Sequence, residues 1–278
     1  MTNPEQIREN VLEDLRRNRL QLPTLPEVAL HIRDEIQKSD ANLNKIASII
    51  MTDPALCAKL LRVVNSPLYR ASKKIDNIKT AITRLGHKQI RNLVTSLVLQ
   101  QMYHSTNVAV NKLLHQSWNH SARVAAIGSV ISSSIKGLST EQAVLAGLVH
   151  DIGILPLILH AENVPELISD PAAMRLLFKS LHTDVGSHVL SNWNFSSELI
   201  DVAKHHEELD YCHENSANYT DIIIVANLFA HYKGGGSINE NWASISAFKR
   251  LGITADNDFM ENADNIKAIK EIEKILRG

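Results

Sequence analysis

Apolar residues recur at three- and four-residue spacing along almost the whole chain, the period of helices that bury one face. Leu22-Pro23-Thr24-Leu25-Pro26 interrupts the pattern as a rigid extended segment, because each proline disfavours helix in the residue before it. The polar amphipathic stretch before it, Pro4 to Arg19, predicts a leading helix. After it, Val28, Leu30, Ile32 and Ile36 mark one helix, and Leu43, Ile46, Ile49 and Ile50 a short second one. Asp53-Pro54 predicts a sharp helix start, since the carboxylate can cap the first turn and proline suits its first position. That helix carries Leu56, Leu60, Leu61 and Val64 and stops at Asn65-Ser66-Pro67. Two further stripes, Ile78 to Leu85 and Ile90 to Val98, are separated by a turn at Gly86. A long helix passes through Trp118, His120, Val124, Ala125 and Ile127. Ser139-Thr140-Glu141-Gln142 reads as a capping box and Asp170-Pro171 as another start. Ile222 to Val225 could be a strand by propensity, but its continuation into Ala226-Asn227-Leu228-Phe229-Ala230 predicts a buried helix. Lys233 to Gly236 predicts a loop, and Asn262 to Leu276 a closing amphipathic helix. The pattern is all-α: a multi-helix bundle, read as an N-terminal helical part over residues 1–107 and a second helical part over 108–278.

The chain is organised around Ala143 to Ile154, an apolar helical run that ends in His150-Asp151 and a glycine, Gly153. Polar side chains at the foot of a hydrophobic helix are costly unless hydrogen-bonded or bound to a metal. An adjacent His and Asp offer a divalent metal one imidazole nitrogen and one carboxylate oxygen. His120 lies upstream, and His182, His205 and His206 downstream, each on or beside a helix by its apolar neighbours; Gly186 leaves room for close helix approach beside His182. Bundle interiors are where helices converge ligands on a metal. Each histidine taken singly fits a hydrogen-bonded core residue as well. His205 and His206 point about 100° apart on a helix, so they could serve two ions more easily than one. His115 is five residues before His120 and off its face.

Composition narrows the class. With 278 residues there is room for one large core or two modest ones, and the apolar fraction of 44% is ordinary for a globular chain. No apolar run is read as long enough to span a bilayer, and the polar N-terminus has no secretory pattern; a bacterial cytoplasmic protein without a membrane partner is the expectation. Cys57 and Cys212 form no motif and are expected as buried thiols. The net charge of −1 hides a segment, Lys59 to Arg91, with nine basic residues against the single acid Asp76. It reads as a solvated face of two helices, or as a surface for a polyanion or acidic partner. No aromatic interleaving or nucleic-acid motif accompanies it, so nucleic acid is not expected.

Asn119-His120-Ser121, His150-Asp151-Ile152-Gly153 and His205-His206-Glu207, in that order, resemble the HD superfamily of metal-dependent phosphohydrolases. Leu22-Pro23-Thr24-Leu25-Pro26, Asp53-Pro54-Ala55-Leu56, Leu60-Leu61-Arg62, Val64-Asn65-Ser66-Pro67 and Ala81-Ile82-Thr83-Arg84-Leu85-Gly86 are similar to the HDOD domain, the HD-related output domain of bacterial signalling proteins. The resemblance covers roughly residues 18 to 230 and implies an N-terminal helical part packed on an HD-like one. It also implies a bacterial signalling role and a degenerate relation to the hydrolases.

The resemblance extends the candidate metal set to His120, His150, Asp151, His182, His205, His206 and Asn227. Asn227 stands where the hydrolases usually place their last aspartate. It offers a neutral carbonyl oxygen in place of a charge. Ile154 stands where the related HD-GYP hydrolases have the lysine of HDIGK, which removes a cation able to hold a phosphate. The Gly-Tyr-Pro is missing as well: the chain reads Glu208-Leu209-Asp210-Tyr211. The reading is a regulatory binding module with a degenerate HD-type metal site and a protein partner in a signalling pathway. The alternative is a metal-dependent phosphohydrolase acting on a nucleotide or other phosphoester. An imidazole-rich set suits Fe, Mn, Ni or Zn, and the sequence does not choose among them.

Overall fold

Helix starts follow the capping residues. Asp53 accepts from the backbone of Ala55 and Leu56 at 2.9 and 3.0 Å, and Asp170 from Ala172 and Ala173 at 2.9 and 3.0 Å; each precedes a proline at the first helical position. Asn42, Asn77, Asn107 and Asn262 cap other helices in the same way. Asp53→Ala is expected to cost about 1 kcal/mol, the usual value of a lost cap, read as a lower urea midpoint with an unchanged slope.

The computed structural model describes residues 9, 11–14, 17, 22–38, 42–66, 69, 74–162, 164–213, 216–231, 240–254, 256 and 258–277. Among them there is no strand. The first part comprises α1 (Glu27–Ile36), α2 (Leu43–Met51), α3 (Pro54–Val64), α4 (Ile78–Leu85) and α5 (His87–Leu99). Then follow α6 (Val108–Ser132), α7 (Thr140–Val149), α8 (Ile154–Ala161), α9 (Pro165–Ile168), α10 (Pro171–Asn192), α11 (Ser197–His205) and α12 (Tyr219–His231). Short helices α13 (Ser246–Leu251) and α14 (Asp258–Glu261) lead to α15 (Ala263–Arg277). Most of the leading stretch Pro4 to Arg19, Pro67 and the Lys233 to Gly236 loop lie outside the described residues.

Helix α7 is central: it packs on α6, α5, α11 and α12. Helix α1 lies on α5, α10 on α8 and α11, and α15 leans on both α6 and α3. Buried apolar side chains form one cluster through both parts, from Val11 to Leu276. The Trp118 indole donates to Leu276 O (3.1 Å) and Gln100 Nε2 to Arg277 O (2.7 Å), which satisfies two carbonyls left unpaired at the end of α15. Asn65 bonds both ways to the backbone of Ile75 at 2.7 Å and fixes the exit of α3. Gly86 turns between α4 and α5 at φ 80°, in the left-handed region that favours glycine.

Three expectations are corrected. Thr140 to Ala161 is apolar and long enough, by length and composition, to cross a membrane; here 83% of its most apolar window is buried inside the protein, and the His150–Gly153 turn divides it into α7 and α8. The cysteines are not buried. Cys57 is half-buried with its thiol directed at Ile50 O, and Cys212 is exposed on the loop after α11. The capping box is only half formed: Ser139 Oγ accepts from Gln142 N at 3.2 Å, but Gln142's side chain turns away to Asn92. The Ser139 N–H that it would have served donates to the Tyr219 hydroxyl instead.

Candidate metal centre

Four places in the chain bring imidazoles to one carboxylate. His120 comes from the middle of α6, His150 and Asp151 from the turn after α7, His182 from α10, and His206 from the end of α11. The Nδ1 atom of His150 lies 2.8 Å from Gly147 O and that of His182 2.7 Å from Phe178 O. His206 Nδ1 lies 3.1 Å from Ala203 O. A ring nitrogen facing a carbonyl must carry the hydrogen, so each Nδ1 donates and each Nε2 is left as a lone pair. Those three Nε2 atoms and that of His120 face Asp151: His120 and His150 lie 3.6 and 3.4 Å from Oδ2, His182 and His206 3.5 and 3.2 Å from Oδ1. His182 and His206 also meet Nε2 to Nε2 at 3.2 Å.

Facing acceptors at this range repel unless a proton or a cation lies between them. Burial alone would raise the Asp151 pKa, but the imidazoles of His150 and His206 outweigh it and hold the carboxyl well below its ordinary range. Burial works against a charged His150 too, and there Asp151 prevails and raises the pKa. Burial, with His150 beside it, pushes His120 down to about 4, and burial lowers His206. Asp151 therefore stays ionised and burial keeps His120 and His206 neutral at neutral pH, the form in which an imidazole accepts a metal, while the carboxylate draws His150 toward its charged form.

The donors fall into two sets that share Asp151: His120, His150 and Asp151 in one, Asp151, His182 and His206 in the other, with the ligand atoms of each set within 4.8 Å of one another. His150 Nε2 is buried with no hydrogen-bond partner, as is Asn227 Oδ1 on α12. The orphaned His150 nitrogen and the Nδ1 anchors fit divalent cations, with Asp151 present in both donor sets. Bound there, such a metal would supply Lewis acidity and an activated water. The chain's own contribution is to anchor three imidazoles by Nδ1, place a fourth beside them and keep Asp151 largely out of solvent.

Gly153 makes the convergence possible. A Cβ there would lie 2.0 Å from His182 O and 2.5 Å from Gly186 N, so α10 rests directly on the turn that carries His150 and Asp151. Gly186 lies on the other side of the same close approach, where a Cβ would meet the Gly153 backbone nitrogen at 3.3 Å, tight but far less severe than the contacts at Gly153.

His205 stands apart from this grouping. Its ring stacks on Tyr211 at 5.4 Å and Nδ1 pairs with Glu208 at 2.8 Å, as expected for a residue about 100° around the helix from His206. Two neighbours were missed from the sequence. His231 stacks on His120 at 5.0 Å, and Glu207 Oε1 lies 3.8 Å from His182 Nε2. The available signal for His231 was its place four residues after Asn227, one turn along the same helix.

Solved structures share this architecture. A proposed metal-dependent phosphohydrolase from Shewanella amazonensis SB2B is 29% identical, with a TM-score of 0.88 over 99% of this chain and 100% of that one. An HDOD domain protein of unknown function from Geobacter sulfurreducens is 20% identical, with a TM-score of 0.68 over 98% and 97% of the two chains. A proposed signal transduction protein from Marinobacter aquaeolei VT8 is 18% identical, with a TM-score of 0.63 over 100% of this chain and 67% of that one. An uncharacterised protein from Treponema pallidum is 24% identical over 91% of this chain, which spans about half the length of that relative. The sequence profile of the HDOD domain matches residues 22–209, and the chain belongs to the HDOD family.

Proposed function

We propose that this chain is a regulatory HDOD module that retains a divalent-metal centre and has lost phosphoester turnover. The observation that carries the reading is the identity of the residues around the imidazoles. Ile154 opens α8 at the end of the His-Asp turn, where a hydrolase would place a cation, and Asn227 is neutral. Among the described residues, the ion-pair partners of Asp151 are imidazoles, with no lysine or arginine among them. The metal then serves as a scaffold, and signalling passes through a protein partner. The exposed basic side chains of Arg62, Lys74, Lys79, Arg84 and Lys88 suit a partner with an acidic face.

The test is to purify the protein without chelator, assay bound metal, and measure hydrolysis of p-nitrophenyl phosphate and a cyclic dinucleotide with added Mn, Fe or Zn. Bound metal without turnover is the expected result, and chelation should lower the melting temperature because a ligand that binds only the folded state stabilises it. Metal-dependent turnover would overturn the reading. It would establish the second one, a metal-dependent phosphohydrolase, which is favoured by two donor sets sharing one carboxylate. That is the arrangement two-metal hydrolases use to clamp a phosphate.

A further inference from the structure

A second site lies where the N-terminal helices meet the metal-bearing part. A cavity of about 260 Å³ opens between α1, α5, α7 and the α10–α11 turn. It is separate from the imidazoles: Leu145 is the lining residue of α7 nearest to them, and His150 follows five residues later, about 7.5 Å along a helix.

Arg91 projects from α5 into this cavity, half-buried. Its hydrogen-bond partner among the described residues is the Asn92 side-chain oxygen, 3.4 Å from both Nε and Nη2, and no described carboxylate lies within ion-pair range. Burial pushes the guanidinium pKa down, the sign of a cation deprived of water without an anion in return. A desolvated cation in this state gains most from a negatively charged ligand. Arg33 lines the same space but is already engaged, bonding Trp193 O at 3.0 Å and pairing with Asp34 at 3.2 Å.

The walls supply what a flat ring needs. Trp193 and Phe195 line the cavity with ring centroids 6.0 Å apart, and the indole is anchored by its N–H to Pro23 O at 2.9 Å. Asn194 between them takes the left-handed conformation (φ 53°) as Phe195 N–H reaches back to Leu190 O, and this turn sets both rings on the cavity side. Asn92 and Gln142, both buried, join across the seam at 2.6 Å and put amide groups on the cavity wall. Amides of this kind recognise the edges of heterocycles. The volume is near the lower end of small-ligand pockets, about 300–1,000 Å³, which suits one nucleotide and not two.

We infer that this seam cavity binds a ring-bearing phosphate of nucleoside monophosphate size, its phosphate on Arg91 and its ring against Trp193 and Phe195. The site touches helices from both parts of the chain, so occupancy would bias how they pack. It does not depend on the metal centre's retaining or losing activity.

The test is calorimetric titration of the full chain with AMP and GMP, with adenosine and inorganic phosphate as probes of each half of the ligand. A Kd below about 1 mM for at least one nucleotide is expected, with each half-ligand at least about tenfold weaker. Arg91→Ala and the charge-reversing Arg91→Glu should each weaken binding about tenfold or more while leaving metal content and far-UV dichroism unchanged. Absence of binding for both nucleotides would overturn the proposal, as would binding unaffected by Arg91→Glu. Phosphate binding as tightly as a nucleotide would overturn the ring slot. Nucleotide binding that vanishes on chelation but survives both Arg91 variants would place the ligand at the imidazoles and refute the seam site.

Discussion

Gly153→Ala is expected to be among the most damaging single substitutions in this chain, although it adds one methyl group. The new carbon would sit 2.0 Å from a backbone oxygen and 2.5 Å from a backbone nitrogen of α10, atoms that cannot swing aside as the end of a flexible side chain does. Overpacking of a buried site typically costs about 1–3 kcal/mol and more where backbone must move; here at least about 3 kcal/mol is expected. Because the displaced carbonyl belongs to His182, the loss extends beyond stability. Shifting α10 carries His182 away from Asp151, so any variant that folds should also lose metal from the His182–His206 side. Gly186→Ala is the control: its nearest contact is 3.3 Å, and a much smaller penalty should follow. Thermal melts and metal analysis of the two variants decide this; equal behaviour would refute the close-approach argument.

Asp151→Ala should abolish metal retention. Asp151 is the one residue present in both donor sets, so its removal leaves two pairs of imidazoles in place of two three-ligand sites. A loss of affinity of about 100-fold or more is expected, beyond the 10–100-fold seen when only an outer-shell partner is removed. The apo protein should be destabilised as well, since deleting one member of a buried charge pair costs about 3–5 kcal/mol. The diagnostic measurement is the melting temperature with and without EDTA. Wild type should fall on chelation and the variant should not respond. Stoichiometric metal in the variant would show that the imidazoles bind without the carboxylate.

The helix order was legible because its signals are local. Proline after aspartate, glycine between two apolar stripes and three-to-four periodicity all act within one or two turns. His120, His150, Asp151, His182 and His206 could be nominated because polar side chains in apolar helices stand out, but their convergence could not be derived from spacing. It depends on α10 lying on Gly153, a contact between residues about thirty apart. Gln142 shows the limit of a local rule: it sits correctly for a capping box, yet a buried amide partner fifty residues earlier claims its side chain. Arg91 escaped notice for a related reason. In sequence it is one of nine basic residues in a run that reads as a solvated face. Arg62, Lys74, Lys79, Arg84 and Lys88 are indeed exposed, but Arg91 sits on the side of α5 that turns toward the seam.

The division of the Thr140–Ala161 stretch by its polar turn bears on how the newly made chain is sorted. The uninterrupted apolar residues would partition into a bilayer, and His150 and Asp151 fall at the midpoint of the stretch, where a charged group is most costly to insert. An aspartate at the centre of a membrane helix opposes insertion by about 2.5–3.5 kcal/mol. The same two side chains that face the other imidazoles in the folded protein therefore make the segment a poorer membrane span than its mean hydropathy suggests.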